Sequence, residues 1–160
     1  MRSLKKNWIL FILIFSIASI TIAYIAEFIY GILPCKMCLY QRYIYYILII
    51  VSIFYIFLNK NKKYYFLLVG MVLLVGIIIS LWHLGIENKI IPGPSGCSID
   101  MQNVSDQKDL KKLIIENPVV SCNQVNWSIF GISFVFINFI MQLALFVINT
   151  IFLVRTNGKK

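Results

Sequence analysis

Four runs of roughly twenty or more mostly apolar residues, at 8–29, 39–58, 64–84 and 127–154, constrain this chain more than any other feature. A helix rising 1.5 Å per residue crosses the bilayer core in about 20 residues, and no proline interrupts any of the four runs. An ordinary globular domain needs about 25% charged residues to clothe its surface. Here charged residues are 13%, hydrophobic residues 60%, and mean hydropathy is +0.84. That balance excludes a soluble enzyme, a disordered tail and a free-standing secreted domain. It predicts an all-α integral membrane protein, a four-transmembrane-helix bundle forming one domain over 1–160, with outer loops at 30–38 and 85–126. The first run is too long for a signal-peptide core and no small-x-small cleavage site follows it, so it reads as a retained span.

Charge sets the orientation. Arg2, Lys5 and Lys6, then Lys60, Lys62 and Lys63, then Arg155, Lys159 and Lys160 fall on one side of the spans with no acid among them. The other side carries Lys36, Arg42, Lys89, Lys108, Lys111 and Lys112 against Glu27, Glu87, Asp100, Asp106, Asp109 and Glu116. The positive-inside rule therefore predicts cytoplasmic termini and outward-facing loops. The net charge of +9 is an orientation signal, and no nucleic-acid partner is expected.

Finer features fit a bundle in lipid. Trp8, Tyr64, Tyr65, Trp82 and Trp127 stand at span ends, where interfacial aromatics are expected. Ser16, Ser19, Ala23 and Ala26 give the first span a narrow face of small side chains, which predicts close helix packing. Asn138 and Gln142, one turn apart, read as interhelical hydrogen-bonding groups.

All four cysteines, Cys35, Cys38, Cys97 and Cys122, lie in or beside the outward segments. An even number of thiols on the oxidising face of a membrane favours disulfides. Cys35-Lys36-Met37-Cys38 is a C-x-x-C motif, open to three readings: an exchangeable redox pair, half of a zinc site, or an inert staple. Zinc needs two more ligands, for which Cys97, Cys122 and His83 are the outward candidates. Structural zinc ligands usually come as two short-spaced knuckles, and Cys97 and Cys122 are far apart in sequence, so no metal is expected. A staple closing so short a loop stabilises little. The redox reading is favoured.

Position sharpens it. Pro34 stops the preceding chain, and Cys38 falls at or near the first turn of the second span, where unsatisfied N–H groups and the helix dipole favour a thiolate. Arg42, four residues on, shares that helix face. It would stabilise the thiolate or polarise the carbonyl oxygen of a bound acceptor, the alternative being a side chain that snorkels to the headgroups. His83 closes the third span on the same side, though a lone histidine there is more commonly an interfacial residue. Glu27 reads as an interfacial acid. In the long outer segment, Pro92-Gly93-Pro94-Ser95-Gly96 turns or extends the chain before Cys97. Ser105 and Asp106 offer caps for a short interfacial helix that Asn117-Pro118 ends.

Pro-Cys-x-x-Cys-x-Tyr-Gln-Arg at 34–42, His83, Gly-Cys-Ser at 96–98, and Pro-Val-Val-Ser-Cys running through Trp127 into Phe-Gly-Ile-Ser at 130–133 together resemble the DsbB family. These bacterial inner-membrane proteins reoxidise the disulfide donor DsbA and pass the electrons to quinone. The resemblance covers nearly the whole chain. It implies a multi-pass inner-membrane thiol:quinone oxidoreductase facing the periplasm. Its partners would be a DsbA-like thioredoxin-fold protein, membrane lipid and the respiratory chain through the quinone pool, and its cofactor ubiquinone or menaquinone. It further implies an outer Cys97–Cys122 disulfide attacked at Cys97, then exchange of Cys122 against Cys35. Cys38 would reduce the quinone, with Arg42 and His83 beside the ring. A Cys97–Cys122 bridge closes about 26 residues and by chain entropy contributes roughly 3.5 kcal/mol. Some family members carry glutamate where this chain has Gln41. The rival classes are an oxidoreductase of the vitamin K epoxide reductase type, whose C-x-x-C lies late in the bundle, and a non-enzymatic disulfide-stapled membrane subunit.

Overall fold

The computed structural model describes residues 2–58, 62–94, 97, 121–123, 125, 128–129 and 131–157. Four long helices dominate it: α1 (Arg2–Phe28), α2 (Lys36–Leu58), α3 (Lys62–Glu87) and α4 (Phe134–Asn157). Each contains a stretch long and apolar enough to cross a membrane: Asn7–Phe28, Lys36–Leu58, Lys63–Glu87 and Phe134–Thr156. The chain is therefore a multi-pass, all-α membrane bundle. In the bundle α1 packs on α2, α2 on α3, and α3 most extensively on α4.

The distribution of side chains is that of a protein dissolved in lipid. Large apolar residues such as Ile14, Phe28, Phe54, Phe57 and Val154 face outward, while Ser16, Ser52, Ser80, His83, Gln142 and Asn149 are buried. Polar groups inside hydrocarbon must find partners within the protein. Tyr45 donates to Asn138 Oδ1 at 2.5 Å, Asn138 Nδ2 to Ser80 Oγ at 3.2 Å, and Ser80 Oγ to Gln142 Oε1 at 3.4 Å. Asn138 and Gln142 thus tie α4 to α2 and α3, as their residue types predicted. Below this network lies an apolar core of Ile9, Ile12, Leu48, Phe66, Val69, Leu73 and Leu145.

The ends of the helices are set by local chemistry. α1 ends at Phe28, and Gly31, with a φ of 67°, then turns the chain so that Ile32 N–H donates to the Ala26 carbonyl at 3.0 Å. α3 ends in a Schellman turn: Lys89 takes φ 59°, its N–H reaches the Ile86 carbonyl at 2.9 Å, and Ile90 N–H reaches the Gly85 carbonyl at 2.8 Å.

Three expectations need correction. The fourth helix begins at Phe134, not 127. A two-residue antiparallel hairpin, β1 (Ser128–Ile129) with β2 (Ile132–Ser133), precedes it, turned at Gly131. Ser133 Oγ then accepts the N–H groups of Val135 (3.1 Å) and Phe136 (3.3 Å), a side-chain cap that starts the helix there, and donates to Glu87 Oε2 at 2.6 Å. Trp8 and Tyr65 are not outward anchors but core residues, Trp8 against Phe11 and Phe152 and Tyr65 against Tyr55 and Phe66. Tyr64 and Trp82 do face outward. Finally, the small face of α1 is buried at Ser16 and Ala26, whereas Ser19 and Ala23 are only partly covered and, with Ala26, line a cavity. Trp127 and the short helix expected near 105–117 lie outside the described residues.

A dithiol cluster beside a membrane cavity

The structure gathers all four cysteines at one end of the bundle. Cys35, Cys97 and Cys122 form a buried cluster with Met37 and Ile86, against which Cys38 and Ile79 pack. Two local turns bring this about. Pro34 precedes Cys35, which stands immediately before α2. On the other side, the Schellman turn after α3 doubles the chain back toward Ile86. Gly93 lies so close to the next segment that a Cβ on it would come within 2.8 Å of Cys97 Cβ. Cys97 and Cys122 are joined as a disulfide with their Cα atoms 5.1 Å apart, and Cys122 N–H donates to the Cys97 carbonyl at 2.8 Å.

Cys35 and Cys38 are free thiols with their sulfurs 2.9 Å apart. Cys35 occupies the N-cap position of α2: its Sγ accepts the backbone N–H of Cys38 at 3.3 Å, as a serine or aspartate oxygen does in most helices. His83, near the end of α3, brings Nε2 to 3.5 Å from the same sulfur. The Cys38 thiol, then His83, then the Cys38 backbone N–H hold the Cys35 thiol down to about 4, against the burial that pushes it up. The sulfur that receives the helix end is thus Cys35. Spacing from Pro34 had pointed to Cys38, and the difference is where the first turn begins.

Cys38 instead faces a cavity of ≈ 320 Å³. Its walls are largely apolar, with Phe15, Ile20, Leu33, Val135 and Met141 among them, and its polar positions are Ser19, Cys38, Gln41, Arg42, Tyr45, His83, Glu87 and Asn138. Volume and lining are those of a small-molecule pocket, mostly apolar with a few polar groups. Its room comes from the small residues of α1 between Ser19 and Ala26.

Arg42 lines the cavity and is held in place by three contacts. Nη1 donates to Glu27 Oε2 at 2.5 Å and Nη2 to the Ala23 carbonyl at 3.2 Å, with the guanidinium 5.1 Å over the Tyr24 ring. Glu27 is therefore the partner of Arg42, a pairing between helices that sequence spacing does not display. Gln41 was equally unassigned. Its Nε2 lies 3.4 Å from His83 Nδ1 and 3.4 Å from Ser80 Oγ, joining the histidine to the buried polar network.

A four-helix membrane protein that sets a dithiol and a disulfide side by side at one end of the bundle belongs to the class of membrane thiol–disulfide proteins. The sequence matches the family described as Disulfide bond formation protein DsbB over residues 5–152, and the chain belongs to that family. It is also 30% identical over 135 residues to a Rickettsia prowazekii (strain Madrid E) protein named Uncharacterized protein RP370, an alignment covering 82% of this chain and 78% of the relative. No solved structure matches the chain.

Proposed function

We propose that this protein is a thiol:quinone oxidoreductase of a bacterial inner membrane. It reoxidises a DsbA-like dithiol protein on the periplasmic side and so sustains disulfide formation. The observation that carries this reading is the division of labour among the sulfurs. Cys35 lies in one buried cluster with the Cys97–Cys122 disulfide, and among the described residues Cys38 is the one cysteine that lines the apolar cavity.

The exchange steps balance as follows. A thiolate of the partner attacks Cys97, Cys122 leaves, and the partner's second thiol closes its own disulfide, so two electrons and two protons enter this chain. Cys122 then attacks Cys35 of an oxidised Cys35–Cys38 pair, and Cys97 closes on Cys122 again, leaving the inner pair as a dithiol. Each attack needs a thiolate and a reachable sulfur. Cys97 is only 1% exposed, so attack by a partner requires its segment to lift from the cluster.

A quinone supplies a two-electron, two-proton acceptor that no side chain offers. The residues fit one: an apolar cleft among helices, a thiol on its wall, and a guanidinium with donors to a ring oxygen. Arg42 and His83 are the residues that would hold it, with Glu27 fixing the position of Arg42. The stated orientation, cytoplasmic termini and outward cysteines, rests on the charge asymmetry. The test follows quinone absorbance with purified protein and a reduced DsbA-like partner. Decay is expected in the wild type and abolished in Cys38→Ser; decay that survives the substitution, or never occurs, overturns the reading.

A further inference from the structure

Cys35, Cys38 and His83 place two sulfurs and an imidazole nitrogen within 4.8 Å of one another. A tetrahedral Zn²⁺ centre with Zn–S near 2.3 Å and Zn–N near 2.0–2.1 Å separates sulfur from nitrogen by about 3.5 Å and two sulfurs by about 3.8 Å. The Cys35–His83 separation is already 3.5 Å, and the sulfurs, 2.9 Å apart, need to part by a modest rotation of Cys38. The geometry points to a redox-gated site for a divalent d¹⁰ cation, Zn²⁺ or Cd²⁺, formed by Cys35, Cys38 and His83 only when the inner pair is a dithiol. This goes beyond the oxidoreductase reading and borrows from it only that the pair visits the dithiol state.

Three observations select this ligand. Two thiolates and a neutral imidazole around a dication sum to zero charge, the arrangement a buried site tolerates best, whereas a monovalent ion leaves a net negative charge. Arg42, the nearby cation, is already compensated by Glu27 at 2.5 Å and does not repel the metal as a bare charge would. Cys38 and His83 both line the cavity, which gives an approach path and room for a water in the fourth position. Gln41 completes the site: a half-turn of its amide puts oxygen against the Nδ1–H that a metal-bound Nε2 requires. Binding is not a redox step, since the thiol protons leave to solvent as sulfur takes the cation. The disulfide has no thiolate to offer. Occupancy therefore holds the pair reduced and takes Cys38 out of exchange.

The test uses the full chain in detergent with Cys97→Ser and Cys122→Ser removing the outer thiols, titrated with Cd²⁺ and read by the cadmium–thiolate charge-transfer band. One saturable equivalent is expected in the reduced protein and none in the oxidised protein. Cys35→Ser or Cys38→Ser abolishes the band. His83→Ala weakens binding by more than the roughly 10–100-fold that loss of a hydrogen-bond partner behind a metal-bound histidine costs. In the wild type with all thiols reduced, Zn²⁺ should protect Cys38 from maleimide, mapped by mass spectrometry; this reading does not depend on the variants folding. Absence of a saturable band, equal binding by oxidised protein, undiminished affinity in His83→Ala, or maleimide labelling unaffected by Zn²⁺ overturns the inference. Neither quinone nor partner is present, so failure here leaves the oxidoreductase reading standing, and failure of quinone reduction leaves this site standing.

Discussion

Arg42 of α2 and Glu27 of α1 form an ion pair of 2.5 Å at the wall of the cavity, with side chains 13% and 21% exposed. Removing either partner leaves a largely desolvated charge alone, which costs more than the pair itself contributes. Glu27→Ala and Arg42→Ala should each destabilise the protein, and the double variant should be less destabilised than the two single effects added. A double-mutant cycle on denaturation in detergent should give a coupling of about 0.5–3 kcal/mol, and additivity within error would show that the pair is not coupled. Arg42→Lys should not restore the wild type, because a single ammonium cannot grip Glu27 and the Ala23 carbonyl with the same fork.

The Cys35 thiol is held down to about 4. In the reduced protein, thiolate ultraviolet absorbance should persist as pH falls through the ordinary thiol value of about 8.5 and vanish only near the lower figure. Cys38→Ala, which removes the largest cause, should move the midpoint up further than His83→Ala does. A depressed value in the folded state stabilises fully above the unfolded value and loses that contribution as pH falls toward the folded one. Stability of the reduced protein, relative to Cys35→Ala, should accordingly decline between about pH 8.5 and the lower midpoint. A flat difference across that window contradicts the assignment.

The proposed relay takes electrons in at Cys97. Cys97→Ser should leave quinone binding, read by ligand fluorescence or calorimetry, unchanged while abolishing the trapped mixed disulfide with a reduced DsbA-like partner. A trapped complex at normal yield would move the intake to another sulfur.

Gly76 of α3 faces the buried network so closely that a Cβ there would stand 2.5 Å from Gln142 Oε1 and 3.0 Å from Ile44 Cγ2. Gln142 cannot swing aside without losing Ser80 and Asn138. Gly76→Ala should destabilise the bundle by about 1–3 kcal/mol, the usual cost of overpacking, measured by thermal unfolding in detergent.

Much of this molecule was legible in the sequence because lipid imposes a simple code. Runs of apolar residues became α1, α2 and α3 nearly as read, and the cysteines, which flank the spans at one end, do meet in space. The start of the fourth helix is misplaced where hydrophobicity alone is followed. Gly131 and Ser133 mark the true start of α4, yet apolar flanking residues extend the run to 127. The pairing of Arg42 with Glu27 and of Gln41 with His83 depends on how each helix is rotated about its axis. That rotation is set by packing among all four helices and leaves no trace in spacing along one. Trp8 and Tyr65 show the same limit: a ring at a span end turns inward or outward according to its neighbours.

The sulfur cap on α2 has one more implication. A thiolate at that position is a full negative charge facing the positive end of a helix, and a disulfide sulfur is not. Under the proposed exchange, oxidation of the inner pair would weaken the sulfur cap on the opening turn of α2 and reduction would strengthen it, so amide exchange at Cys38 should slow when the pair is reduced.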